Sequence, residues 1–82
     1  MPGNMAPKAS LRDPRAEFGK RVRRLRTELG WTLEDLAEHA EMHWTYIGSV
    51  ERGERNLSLI NIVRLARALG VGPEDLVRGL RP

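Results

Sequence analysis

The sequence predicts an all-α fold, a compact bundle of five helices, over residues 13–82. Apolar residues recur at intervals of three and four in every segment of this range, and no segment alternates apolar and polar residues as a strand would. Residues typical of helix starts and glycines typical of helix ends divide the range into five segments, joined by connections of a few residues. Connections this short require neighbouring helices to pack against one another in one domain.

The first helix is predicted to begin at Asp13 and Pro14, an N-cap followed by proline at the first helical position. Gly30 ends it. The second helix opens at Thr32, with Asp35 three residues on in the manner of a capping box, although Asp stands where Glu or Gln is usual. The apolar face of the first helix carries Phe18, Val22, Leu25 and Leu29. The inner face of the second carries Leu36, Ala37 and Ala40.

A third helix, roughly residues 43–52, follows a break at Glu41 and Met42, and Gly53 stops it. Ile47 and Val50 are predicted to point inward. The fourth helix is capped by Ser58 and ended by Gly70, and its predicted buried side is Leu59, Ile62, Ala66 and Leu69. Gly72 and Pro73 start a short fifth helix that carries Leu76, Val77 and Leu80.

Composition excludes several classes of function. The chain has no cysteine, which excludes disulfides, thiolate metal sites and a cysteine nucleophile. Its two histidines, His39 and His43, lie on either side of a predicted helix break without a third ligand, so we expect surface residues and no metal. No catalytic constellation stands out, and we expect neither an enzyme nor a cofactor. No apolar run is long enough for a membrane span and the start lacks a signal peptide, so a cytoplasmic location is expected.

Charge is unevenly distributed along the chain. The net charge is +3, but residues 1–30 carry +5, residues 31–53 carry −4 and residues 54–82 carry +2. Separated basic zones attract polyanions, although an ordinary solubilising surface fits the same numbers. Residues 1–12 lack periodicity and are predicted to be a flexible arm, whose Lys8 and Arg12 either reach DNA or have no role.

The spacing of the second and third helices carries the most functional information. Residues 32–53 hold a helix, a turn of about three residues and another helix, the length of a helix-turn-helix. In that motif the second helix enters the DNA major groove. Gly48 and Ser49 would let its surface approach a base pair closely, unless Gly48 merely lets a neighbouring helix pack. The predicted exposed residues are Trp44, Thr45, Gly48, Ser49 and Arg52.

The stretch "LAEHAEMHWTYIGSVERGERNLSL" resembles the helix-turn-helix of the lambda-repressor and Cro (XRE) family. Within it, "TYIGSVERGERN" is most similar to the controller proteins of restriction–modification systems. The resemblance covers roughly Phe18 to Leu80. It implies a five-helix DNA-binding domain that acts as a symmetric dimer on a palindromic operator.

The resemblance also implies roles for single residues. Contacts to bases or the adjacent backbone fall on Thr45 and Tyr46, with Trp44 and Ser49 close by. Phosphate contacts fall on Arg52, Arg55, Asn56 and the backbone N–H groups of Thr32 and Leu33. Glu51 would pair with Arg26, which suits a carboxylate near a helix C-terminus. The sequence departs from the family at four positions, namely Leu33 for glutamine, Glu41 for the turn glycine, His43 for Ser or Thr, and Trp44 for arginine.

The fifth helix suggests a dimer. It holds more apolar residues than a short helix buries against its own domain, and a self-complementary patch would form a two-fold interface. Closure of the core by the same helix is the alternative. The predicted interface residues are Ile60, Val63, Leu76, Val77 and Leu80.

Together these patterns predict a sequence-specific, DNA-binding transcriptional regulator, a homodimer with no enzymatic activity. The expected setting is the control of a restriction–modification operon, with RNA polymerase as a further partner if the protein activates. The alternatives are an antitoxin of a toxin–antitoxin pair and a protein-interaction module that has lost DNA binding.

Overall fold

The computed structural model describes residues 13–82, and the predicted arm, residues 1–12, lies outside them. The described residues form five helices and no strand, so the predicted all-α fold class is confirmed. None of these helices is long and apolar enough to cross a membrane. In chain order they are α1 (Pro14–Glu28), α2 (Leu33–Ala40), α3 (Trp44–Glu51), α4 (Leu59–Leu69) and α5 (Pro73–Val77).

The predicted helix starts are confirmed by their capping hydrogen bonds. The carboxylate of Asp13 accepts from the backbone N–H of Arg15 at 2.9 Å, and the Arg15 side chain donates to both carboxylate oxygens. These bonds hold the pKa of Asp13 below its ordinary value. At α2, the Thr32 hydroxyl accepts from the Asp35 N–H at 3.0 Å while the Asp35 carboxylate accepts from the Thr32 N–H at 2.9 Å, completing a capping box. Ser58 caps α4 through its hydroxyl.

Helix α2 ends at a residue with a strained backbone conformation. Glu41 adopts φ 58° and ψ 47°, the left-handed region, and is the one non-glycine residue with positive φ among residues 13–82. Its N–H bonds back to the carbonyls of Ala37 and Glu38, so the tight turn into α3 requires this conformation. An L-residue with a side chain is strained there, and the negative charge of Glu41 also opposes the dipole at a helix C-terminus.

Replacing Glu41 with glycine is therefore expected to raise the free energy of unfolding by about 1 kcal/mol, even after the entropy that glycine adds to the unfolded chain. Thermal denaturation followed by circular dichroism measures it. Glu41→Ala removes the same charge but keeps the strain, so the difference between the two variants isolates the backbone contribution. Equal stabilities for the glycine and alanine variants would contradict this account.

The core lies between the five helices. Its fully buried side chains are Val22, Leu36, Ile47, Val50, Leu65 and Leu76. Two sequence predictions of burial are wrong. Leu29 is exposed because it lies beyond the last turn of α1 as its C-cap, and Leu59 is 75% exposed because it begins α4 outside the packed layer. Leu65, which the pattern did not single out, takes the buried position on α4.

Helix α5 closes the core of its own domain. Leu76 is 0% exposed, and its carbonyl accepts a hydrogen bond from the Arg21 guanidinium of α1 at 3.2 Å. The prediction that Leu76 belongs to a dimer interface is therefore wrong, because its side chain is already enclosed. Val77 on the same helix stays exposed and Leu80 is half-buried, so both remain accessible in part.

Helix α1 crosses the C-terminal end of α3 with the two backbones in contact. The crossing point is Gly19, where an added Cβ would lie 2.6 Å from the carbonyl oxygen of Glu51 and closer still to that of Val50. Atoms cannot approach to that distance without displacing a backbone. The absence of a side chain at Gly19 therefore sets how deeply α3 sits against α1, and with it the position of the candidate site.

Candidate nucleic-acid interface

The first turn of α3 presents exposed side chains to solvent. Trp44 and Thr45 are exposed at the start of this helix, directly after the turn of residues 41–43. Ile47 and Val50 point into the core as predicted, and they anchor the opposite side of the helix. The sequence prediction that Trp44 and Thr45 face solvent is confirmed.

His43 caps α3 and orients the hydroxyl of Thr45. The Nδ1 atom of His43 accepts from the backbone N–H of Thr45 at 3.2 Å, so it is the unprotonated ring nitrogen. The Thr45 hydroxyl, 2.7 Å from the same atom, is then the donor of that second bond. Its oxygen lone pairs remain available to accept from the amino group of adenine or cytosine, and its methyl group suits a thymine methyl.

The two histidines make other contacts than metal ligation. His39 stacks on Trp31 with ring centroids 4.1 Å apart, and its Nδ1 lies 2.8 Å from the carbonyl of Asp35. His43 is occupied by the helix cap. Within residues 13–82 no group of three or more His, Cys, Asp or Glu is placed to hold a metal ion.

Gly48 and Ser49 differ from the prediction. Both are buried, so the prediction that they form an open approach surface for a base pair is wrong. The side chains of Arg52 and Leu33 cover Gly48, with an added Cβ 3.2 Å from an Arg52 nitrogen and 3.7 Å from Leu33 Cδ1. Ser49 is only 5% exposed, because a side chain from the following loop lies across it, which excludes the predicted direct contact of Ser49 with DNA in this conformation.

Tyr46 supports the site from the side. It is half-buried, and its hydroxyl accepts a hydrogen bond from the amide of Asn61 on α4 at 3.2 Å. The guanidinium carbon of Arg55 lies 5.3 Å from the centre of its ring, a cation–π contact. Tyr46 therefore joins α3, α4 and the loop after α3, and only part of it is accessible to DNA.

The segment after α3 carries the predicted cationic residues Arg52 and Arg55, which differ in their hydrogen-bond partners. Arg52 donates to the Glu54 carboxylate at 3.0 and 3.3 Å, and this bonding lowers the pKa of Glu54 and raises that of Arg52. Both partners remain charged at neutral pH, so each offsets the charge of the other. Arg55 has no carboxylate partner among the described residues and donates instead to the Ser49 hydroxyl at 2.9 Å. Asn56 is exposed beside it.

The N-terminus of α2 has fewer free backbone N–H donors for a phosphate than predicted. The backbone N–H of Thr32 is already bonded to the Asp35 carboxylate, so the predicted phosphate contact at Thr32 is wrong in this conformation. The capping box at the start of α2 uses this N–H as one of its two hydrogen-bond donors. Leu33 is half-buried, and a phosphate contact through its N–H stays a prediction.

The predicted pair of Arg26 and Glu51 is confirmed. Two parallel hydrogen bonds of 2.7 and 2.9 Å join the guanidinium to the carboxylate, and Arg26 also donates to the Trp31 carbonyl at 2.8 Å. The side chains are 12% and 7% exposed. Bonding to Glu51 raises the pKa of Arg26. The pair ties the end of α3 to α1 and fixes the direction in which the first turn of α3 points.

Comparison with known proteins identifies the family. The helix-turn-helix family profile matches residues 22–76. Control protein C.BamHI of Bacillus amyloliquefaciens is 46% identical over 61 residues, which cover 73% of this chain and 75% of that protein. The chain belongs to the helix-turn-helix family.

Solved structures agree with this assignment. The restriction–modification controller protein C.AhdI from Aeromonas hydrophila superposes with a TM-score of 0.74 at 47% identity, covering 76% of this chain and 94% of that one. The hypothetical transcription factor NHTF from Neisseria gives a TM-score of 0.76 at 38% identity, covering 79% and 75%. The resemblance to the lambda-repressor/Cro-like family and to its restriction–modification controllers is confirmed. This chain is a DNA-binding transcription regulator of the helix-turn-helix type.

Sequence reasoning missed two members of the site. Arg23 of α1 lines a cleft with Leu33, Gly48 and Arg52, which places a further cation beside α3. Its signal was the positive charge concentrated in residues 1–30, from which no single residue of the first helix was assigned to the site. Asn61, which holds Tyr46, carries no signal in the sequence, because the contact depends on how α4 packs.

Proposed function

We propose that the chain is a sequence-specific transcriptional regulator that acts as a homodimer on a palindromic operator and has no enzymatic activity. The observation that carries the proposal is the exposed first turn of α3, with Trp44 and Thr45, next to a loop that presents Arg52 and Arg55. Thr45 offers hydrogen-bonding and apolar contacts for base edges, and the arginines offer cations for phosphates. The relatives named as control proteins support a role in restriction–modification control, with a cytoplasmic location.

Exposed apolar side chains on α4 and α5 support the dimer. Ile60 is 66% exposed and lies one turn from Val63 on α4, with the exposed Leu59 beside it and Val77 on α5. We call these four residues the α4–α5 patch. Apolar residues clustered on a small monomer favour association, and a two-fold axis through the patch would pair two α3 helices for neighbouring DNA grooves. Leu59 was not among the interface residues predicted from the sequence, and Leu76 is excluded because it is enclosed in the core.

Replacing Ile60 with aspartate is expected to weaken self-association at least roughly tenfold, because a carboxylate without a partner loses water on burial. Sedimentation equilibrium over a concentration series measures it. Leu29→Asp is the matched control, since it introduces the same carboxylate at another exposed apolar residue, the C-cap of α1, which lies outside the patch. A wild-type protein that stays monomeric at every concentration would contradict the dimer.

Duplex DNA binding at several salt concentrations tests the proposed function. Binding that neutralises several phosphates loses affinity with a log–log slope of about −0.9 per phosphate contacted. No binding at low salt, or a flat response, would contradict the proposal and favour the antitoxin or protein-interaction alternatives.

The base-reading role is tested by Thr45→Ala, using an operator selected by the protein from a random-sequence duplex library. The variant is expected to narrow the free-energy gap between operator and mixed-sequence DNA by about 1–3 kcal/mol, while leaving the salt slope unchanged. Glu38→Ala, an exposed change on α2, is the control. An unchanged gap in Thr45→Ala would show that α3 does not read the bases through this residue.

A further inference from the structure

The hydroxyl of Ser49 joins the recognition helix to the cationic loop. Its oxygen donates to the carbonyl of Tyr46, one turn earlier on α3, at 2.7 Å. The same oxygen accepts from Nε of Arg55 at 2.9 Å. Ser49 is 5% exposed, so little water reaches its hydroxyl to compete for these hydrogen bonds. The bond to Arg55 is therefore stronger than the same bond would be on the exposed surface.

Arg55 is restrained a second time by Tyr46. The guanidinium lies 5.3 Å from the ring centre, and the ring is itself held by the amide of Asn61 at 3.2 Å. The hydrogen bond to Ser49 holds Nε in place, and the cation–π contact holds the guanidinium over the Tyr46 ring. An arginine side chain that is ordered before it binds loses less conformational entropy on binding.

The two contacts leave the far edge of Arg55 available. Its NH1 and NH2 groups make no hydrogen bond to residues 13–82, and its bonding partner is a neutral hydroxyl rather than a carboxylate. Arg52 provides the contrast, because Glu54 occupies its Nε and NH2 and offsets its charge. Arg55 therefore keeps its charge and a pair of N–H donors suited to two adjacent acceptor atoms.

We propose that Ser49 is a positioning residue for DNA binding, which orients Arg55 so that its NH1 and NH2 groups meet a paired acceptor on DNA. The acceptor is either two phosphate oxygens or O6 and N7 of guanine, which present the same chemistry. Ser49 itself does not contact DNA. The inference rests on the proposed DNA-binding function and adds to it the mechanism by which a buried residue of α3 contributes.

Ser49→Ala removes the hydroxyl without adding bulk, and we expect it to weaken DNA binding roughly three- to tenfold. The effect is measured in three backgrounds by fluorescence anisotropy with labelled duplex. In the wild type and in Arg52→Ala, Ser49→Ala weakens binding by the same factor. In Arg55→Ala it has no further effect, because the residue that it positions is gone. No loss in the wild type, or an undiminished loss in Arg55→Ala, would overturn the proposal.

Two duplexes distinguish the acceptors. An equal loss on the selected operator and on mixed-sequence DNA assigns Arg55 to phosphate, whereas a larger loss on the operator assigns it to guanine.

A measurement without DNA separates this inference from the proposed function. The Nε–H proton of Arg55 should exchange slowly with water in the free wild type and rapidly in Ser49→Ala, as followed by nitrogen-15 NMR. Fast exchange in both proteins would overturn the positioning role even if the wild type binds DNA. Slow exchange in a wild type that binds no duplex would instead overturn the proposed function, and the DNA role of Ser49 with it.

Discussion

Replacing Arg26 with alanine is expected to lower the free energy of unfolding by about 3–5 kcal/mol, because it leaves a buried carboxylate without its partner. Glu51 is 7% exposed and lies near the C-terminus of α3, where the helix dipole adds a further unfavourable interaction with a negative charge. The variant also loses the bond to the Trp31 carbonyl. Since a small domain has only about 5 kcal/mol or a little more in total, the variant should retain little stability at room temperature.

Urea denaturation of Arg26→Ala followed by circular dichroism measures this loss. Two further variants separate charge from geometry. Arg26→Lys keeps the charge but lacks the planar fork, so we expect an intermediate loss. The double variant Arg26→Met with Glu51→Leu should recover most of the stability, because no charge is then buried alone. A single Arg26→Ala variant as stable as the wild type would show that the carboxylate is tolerated without its partner.

Replacing Gly19 with alanine is expected to cost about 3 kcal/mol of unfolding free energy, although alanine is the better helix former. The added Cβ would overlap the carbonyl oxygens of Val50 and Glu51, which are backbone atoms and cannot rotate away. Helix α3 would have to move off α1, and the change would displace the first turn that carries Thr45. We therefore expect DNA affinity to fall even under conditions where the variant remains folded.

Gly48→Ala is the matched control, since both glycines lie inside helices. At Gly48 the nearest atoms belong to side chains, and the closest is the mobile end of Arg52 at 3.2 Å. Alanine there should be neutral or stabilising by about 0.5–1 kcal/mol, the usual gain over glycine in a helix. Thermal melts of both variants test the contrast. Similar stabilities for Gly19→Ala and Gly48→Ala would mean that the α1–α3 contact is looser than the structure has it.

The N-capping residues in the sequence were sufficient to predict where three of the helices start. Asp13 with Pro14, Thr32 with Asp35, and Ser58 place their helix starts through bonds that span only two or three residues, so the sequence alone specifies them. The same short range explains why these predictions are independent of how the helices pack. The pair of Arg26 and Glu51 is a long-range contact, and it was predictable because the family resemblance supplied its partner.

The burial pattern of short helices was not predictable to the same degree. Helix α3 has eight residues, and which of them are covered depends on neighbours that arrive from elsewhere in the chain. Ser49 is buried by Arg55 from the following loop, and Gly48 by Arg52 and Leu33. A side chain long enough to fold back over a helix hides positions that a helical period would leave exposed. The prediction for Leu76 was wrong for a related reason, because α1 and α4 pack against α5 and bury this side chain.

The positions of the two tryptophans allow intrinsic fluorescence to report DNA binding. Trp44 is exposed in the first turn of α3, whereas Trp31 is partly covered and stacks on His39. Indole emission moves to shorter wavelength when water leaves the ring, so a duplex that covers α3 would shift the emission of Trp44. A Trp31→Phe variant would leave this single emitter, and association could then be followed without a dye.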